Sequence, residues 1–134
     1  MDVHAYWDAV LRQDAAAMEA FLHPDAIIRW PNTNEQFTAE EFIRANCAYP
    51  NNWEGEVELI EQNGALTITV TRVRAADLPL SFHAISFITL RGDRIASISE
   101  FWSDDGDAPK WRRDMRIGRP LESWPPQLPP QGKE

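Results

Sequence analysis

Cysteine is almost missing from this 134-residue chain. Cys47 stands alone, which excludes an internal disulfide and any zinc site built on several thiolates, and makes a reducing cytoplasm the expected compartment. Positive charge is scarce as well: thirteen Lys and Arg stand against twenty-one Asp and Glu, a formal charge of −8. Such a surface repels phosphate backbones and anionic lipid, so neither nucleic acid nor membrane is an expected partner. No apolar run is long enough to cross a bilayer, and the opening MDVHAYWDAVL lacks the basic start and apolar stretch of an export signal. His4, His23 and His83 show no metal-ligand spacing. There is no glycine-rich phosphate loop and no nucleophile-elbow serine, so no metal and no cofactor are expected.

What is present supports one domain. A chain of this length buries roughly two thirds of its unfolded surface and needs no covalent staple. Val3, Tyr6, Trp7, Val10 and Leu11 recur at helical spacing behind Asp2, a capping residue. Asp14 caps a second short helix through Ala15, Met18 and Phe21, which His23-Pro24-Asp25 stops. Ala26 to Trp30 reads as a strand and Pro31-Asn32-Thr33-Asn34 as a loop. Thr38 with Glu41 then forms a capping box for a third helix carrying Phe42, Ile43, Asn46 and Cys47.

From Trp53 the period changes to two. Glu54, Glu56 and Glu58 alternate with Gly55, Val57 and Leu59, a strand with one charged and one apolar face. Asn63-Gly64 turns it back into Leu66, Ile68 and Val70, which alternate with Thr67, Thr69 and Thr71; a second hairpin joins Leu80–Leu90 to Arg94–Trp102 at Gly92-Asp93. The order ααβαββββ predicts an α+β fold in which helices cover one face of an antiparallel sheet.

If Gly92-Asp93 is a two-residue turn, Arg91 faces Arg94, and counting outward puts Ile85 opposite Glu100 and His83 opposite Trp102. On that register His83 and Glu100 are diagonal neighbours on a face shared with Ile85, Phe87, Ile98 and Trp102. An ionisable pair among apolar residues is equipped for proton transfer near neutrality, or serves as a buried hydrogen-bond network that orders the core. Asn32 and Asn34 sit in the loop that would rim a cavity there, with Trp30 behind them; Asn46, Tyr49 and Trp53 could close it.

Residues 105–134 form a separate extension. Asp104-Asp105-Gly106-Asp107 reads as a solvated loop, and Lys110, Arg112, Arg113, Arg116 and Arg119 as a basic cluster able to hold an anionic ligand or, more plainly, as a segment that docks on the acidic body or on a partner subunit. The stretch from Trp124 to Pro130 is expected to be extended, partly polyproline II, lying across its own domain with Trp124 as anchor.

The helix pair, the Trp30-Pro31 strand exit, the capped third helix and the Glu100-Phe101-Trp102 ending together resemble the nuclear transport factor 2-like superfamily, in its SnoaL-like polyketide cyclase and ketosteroid isomerase branch. The resemblance covers residues 2–104. It implies a cone whose curved sheet, mixed at its first strand, wraps three N-terminal helices around a pocket, commonly in a homodimer joined through the sheet. It places Tyr6 where ketosteroid isomerases carry an oxyanion-donating tyrosine, but Trp30 where they carry the general-base aspartate and Ile85 where they carry a second acidic donor. Glu100 with His83 falls about where SnoaL-like cyclases are similar in keeping an acid/base carboxylate and its polar partners.

Three readings stand at this point. One is a cofactor-independent isomerase, cyclase or dehydratase acting on a small, mostly apolar carbonyl or aromatic compound, with Glu100, His83 and Tyr6 as catalytic groups and Trp30, Asn32, Asn34, Tyr49, Trp53, Ile85, Phe87, Ile98 and Trp102 as the substrate surface. Another is a module that binds a small hydrophobic molecule unchanged. The third is a dimeric interaction domain whose pocket is filled by Trp30, Trp53 and Trp102.

Overall fold

The computed structural model describes residues 1–126. Helices α1 (Val3–Arg12) and α2 (Ala15–Phe21) lead into strand β1 (Leu22–Trp30), a single turn of 3-10 helix (Pro31–Thr33) and strand β2 (Glu35–Thr38). Helix α3 (Ala39–Ala48) precedes β3 (Trp53–Asn63), β4 (Leu66–Ala75), β5 (Ser81–Arg91) and β6 (Arg94–Asp104), and a short α4 (Lys110–Asp114) follows. The six strands make one sheet in the order β2-β1-β6-β5-β4-β3. All neighbours are antiparallel except β1 and β6, which run parallel. The α+β architecture and the mixed first strand are as expected, with one addition: β2, four residues in what reads as loop, pairs Glu35 with Trp30 and Thr38 with Ile27.

The helix starts follow from their caps. Asp2 accepts from the Ala5 N–H at 3.0 Å and Asp14 from the Ala17 N–H at 3.1 Å. Thr38 and Glu41 exchange bonds at 3.2 and 2.9 Å in a complete capping box. Each such cap stabilises a helix by about 1 kcal/mol. The far ends of α1 and α3 are tied together, since the Gln13 amide donates to the carbonyls of Asn46 and Tyr49 and the Asn46 amide to that of Val10.

The concave face of the sheet meets the helices and is unusually polar. Thr67, Thr69 and Thr71 of β4, Ser86 of β5 and Glu100 of β6 are all buried, with Trp7 of α1 donating its indole N–H to Thr69 Oγ1 at 3.1 Å. The convex face carries the apolar side chains of the same strands. Val70, Ile85 and Phe101 form one cross-strand row and Ile68 with Phe87 the next, and Ile85, Phe87 and Phe101 are exposed.

Two bulges set which residue faces where. In β3 the pairing jumps from Val57–Thr71 to Leu59–Val70, leaving Glu58 without a partner. Leu59, expected on the apolar face with Val57, is therefore turned outward, and Ile60 packs on the core in its place. In the closing hairpin Arg91 pairs with Arg94 as expected, but Leu90 pairs with Ile95 and Thr89 with Ser97, so Ala96 is extra.

Beyond β6, Asp105 is held rather than solvated. Its carboxylate accepts from Ser81 Oγ at 2.5 Å and lies 2.5 Å from His83 Nδ1. Helix α4 and its basic residues are exposed. The Trp124 indole N–H returns to Glu58 Oε1 at 2.7 Å, so the anchoring expected of Trp124 is present; the expected extended stretch past residue 126 lies outside the described residues.

Gly55 marks the tightest approach between strands: a Cβ there would sit 2.1 Å from the Arg72 carbonyl oxygen. Gly55→Ala is expected to cost about 1–3 kcal/mol by overpacking, read as a lowered midpoint in urea unfolding; an unchanged midpoint would show that β3 and β4 can part without penalty.

Candidate functional site

A cavity of about 340 Å³ opens between the concave face and helices α1 and α3. Its walls are aromatic. Trp102 of β6 lies at a steep angle to two neighbours, with centroids 5.9 Å from Trp30 of β1 and 4.8 Å from Phe82 of β5. Phe42 of α3 stands edge-on to Trp30 at 6.3 Å, and Trp7 and Val10 of α1 complete the apolar lining. Asn32, Thr33, Glu35, Tyr49 and Asp104, all exposed, form the mouth. The Asn32 side-chain oxygen accepts from the Trp102 N–H at 2.9 Å, which fixes the rim to the last strand.

Glu100 lines this cavity although its residue is only 2 % exposed. Its Oε2 accepts from Ser86 Oγ at 2.5 Å across the β5–β6 pair. Burial pushes the carboxyl up to about 7, against the opposing pull of Ser86 and of the Trp30 indole, both of which favour the charged form. The Trp30 Nε1–H lies beside the carboxyl without making a hydrogen bond, and it is buried with no partner at all. Tyr6 is buried behind the site, edge-on to Trp7 and Phe21. Its phenol is pushed well up, first by burial and then by the Glu100 charge, so it stays a donor near the carboxyl without lining the cavity.

The structure separates the expected pair. The Ala96 bulge shifts β6 by one residue against β5, so Glu100 faces Ser86 and His83 faces Ser103. Glu100, Ile98 and Trp102 point inward, whereas His83, Ile85 and Phe87 lie on the convex face. His83 there bridges Glu58 (Nε2 to Oε1, 2.9 Å) and Asp105. It is not a partner of Glu100, and Ile85 and Phe87 are not part of the cavity.

Among the remaining residues singled out from the sequence, Trp30, Asn32, Tyr49 and Trp102 line the cavity. Ile98 is inward-facing but wholly within the core. Trp53 stacks on Tyr49 at 4.9 Å, supporting the mouth from behind. Asn34 is an exposed left-handed residue that ends the 3-10 turn, as an asparagine in a loop commonly does. The aromatic side chains border an open hollow and do not fill it. Sequence reasoning missed Ser86, Phe82 and Asp104; all three become legible once the bulge is placed, since each then falls on the inward parity of its strand. Among the described residues no group of three or more His, Cys, Asp or Glu is arranged to hold a metal ion, and no helix is long and apolar enough to cross a membrane.

A carboxyl whose pKa is raised on folding stabilises the protonated folded state. That contribution is complete below the unfolded value near 4.5 and is lost as pH rises through about 7. Relative to Glu100→Gln, the wild-type protein is therefore expected to lose roughly 3 kcal/mol of stability between pH 4.5 and 7.5. Paired denaturant titrations across that window check this, and parallel curves would mean that folding leaves the Glu100 pKa unchanged.

A family model for the SnoaL-like domain matches residues 3–98. Among solved structures, a candidate ketosteroid isomerase from Kribbella flavida DSM 17836 is similar at a TM-score of 0.73 and 20 % identity, over 88 % of this chain and 87 % of that one. An NTF-2 like protein of unknown function from Burkholderia xenovorans LB400 is similar at 0.70 and 22 %, over 93 % and 91 %. A candidate SnoaL-like polyketide cyclase from Shewanella putrefaciens CN-32 is similar at 0.62 and 15 %, over 72 % and 83 %. Among curated proteins, none matches this chain. With its mixed sheet wrapped on three helices, its inward-facing carboxyl and that match across most of its length, the chain belongs to the SnoaL-like domain family and has a nuclear transport factor 2-like fold.

Proposed function

We propose that the cavity takes up a small, mostly apolar carbonyl or aromatic compound and that Glu100 moves a proton on it without a cofactor, as in an isomerase, cyclase or dehydratase. The observation that carries this reading is the Glu100 carboxyl itself: it faces an aromatic hollow, is fixed by Ser86, and is poised near neutrality. A group with a pKa close to the working pH is both sufficiently ionised and sufficiently basic to be effective, and placed proton transfer typically gives about a hundred- to ten-thousandfold in rate. His83 has no part in this chemistry. Ser86 orients the carboxylate, and Tyr6, kept protonated behind it, supplies a nearby donor.

The test is deuterium exchange at carbons next to a carbonyl, followed by NMR for a panel of small ketones in heavy water. Glu100→Gln is expected to lower exchange at least a hundredfold, and full exchange in that variant removes Glu100 from the mechanism. Exchange should rise with pH through about 7, as the carboxylate forms. Because the Ser86 hydrogen bond holds the carboxyl down, Ser86→Ala should move that inflection to higher pH; a shift to lower pH contradicts the assigned geometry. Ligand that binds but is always recovered unexchanged favours the binding-module reading.

The convex face supports pairing of two copies through the sheet, in which residues 1–104 form the domain and the remainder an extension. An exposed strip of Ile85, Phe87 and Phe101, with the two phenyl rings edge-on at 6.3 Å, is the kind of contiguous apolar surface that marks an interface. Light scattering is expected to give a dimer for the wild-type chain and a monomer for Phe87→Glu; a monomeric wild-type chain at micromolar concentration overturns the pairing.

A further inference from the structure

Resting on the reading of the cavity as a small-molecule site, we propose that its ligand is a cation, an organic ammonium compound whose charged head sits among Trp30, Phe82 and Trp102 and pairs with Glu100. The first support is the charge of the lining. Glu35, Glu100 and Asp104 contribute carboxyl groups, and the lining contains no Lys, Arg or His. In a chain whose formal charge is −8, an anionic ligand meets only like charge there, while a cation is drawn first by the mouth and then by the interior.

The second support is the arrangement of the rings. Trp30 and Trp102 meet at 79° and Phe82 and Trp102 at 61°, so the rings form differently oriented walls instead of one flat stack. Quaternary and protonated amines are held where aromatic rings stand around them at differing angles, and these three rings, set at such angles, all line the one cavity.

The third support is a donor left over. The Trp30 indole N–H is buried and unpartnered, a costly condition, and it lies beside a carboxyl that already accepts from Ser86. A neutral carboxyl accepts a second donor only weakly through its carbonyl oxygen, whereas a carboxylate accepts at both oxygens and about twice as strongly. The unpartnered indole N–H therefore gains most when a ligand's positive charge stabilises the ionised form. Cation binding and loss of the Glu100 proton to solvent are then one event. A substrate of this class also leaves Glu100 as the base that the proposed chemistry requires.

Phenyltrimethylammonium and its uncharged isostere tert-butylbenzene separate the alternatives, because the quaternary ion has no proton of its own. Isothermal titration calorimetry at pH 6, run in two buffers of different ionisation enthalpy, is expected to show the cation binding at least tenfold tighter than the isostere. It should release nearly one proton per site, a release that fades above pH 8. Glu100→Gln should abolish the release. Trp102→Leu should weaken the cation by about three- to thirtyfold and the isostere by less. Equal or tighter binding of tert-butylbenzene overturns the charge assignment and leaves the apolar cavity standing. Cation binding without proton release overturns the pairing with Glu100. Binding of neither probe overturns this proposal and counts against the small-molecule reading with it.

Discussion

Between Leu90–Ile95 and Thr89–Ser97 the closing hairpin contains one residue more on β6 than on β5, and that residue is Ala96. Side chains alternate across a strand, so a single insertion exchanges the two faces for everything downstream. Glu100 enters the cavity with Ile98 and Trp102 because of it, and Ser86 becomes the residue across from the carboxyl. The proposed proton chemistry and the meeting of Glu100 with Ser86 depend on this local irregularity, which follows closely on the tight Gly92-Asp93 reversal.

Much of the fold was legible because its signals are local. Asp2, Asp14 and Thr38 with Glu41 cap the three helices that their positions announce, and Gly64 and Gly92 occupy turns with positive φ. The candidate site was legible only in part. Glu100, Trp30, Asn32, Tyr49 and Trp102 are chemically distinctive and recognisable, but which residues of β5 share their face depends on register, and a bulge that no glycine or proline marks moves His83, Ile85 and Phe87 to the other side. The short β2 escaped for a related reason: Glu35–Thr38 is an edge strand whose identity comes from pairing with β1, not from any alternation of its own.

The distribution of polarity across the sheet also runs against the usual expectation that apolar side chains mark the inner face. In β4 the threonines are buried and Ile68 and Val70 point away from the helices. Both arrangements serve the cavity. Hydroxyls on the concave side give Trp7 and Glu100 hydrogen-bonding partners, without which an indole and a carboxyl could not be kept under the helices at tolerable cost. The apolar convex side then requires its own cover, which ties the polar interior to the association proposed for the outer face.

On that outer face, Asp105 and Trp124 both end on the Glu58–His83 pair, the Asp105 carboxylate at His83 Nδ1 and the Trp124 indole N–H at Glu58 Oε1. The chain between them, with α4 and its exposed arginines, is thereby closed into a loop fastened at one place. Closing such a loop costs entropy once, so the two attachments reinforce each other: while either end holds, the other is returned to its seat at high effective concentration. The consequence is that both ends of the extension share one footing, so that a change weakening the Glu58–His83 pair loosens them together.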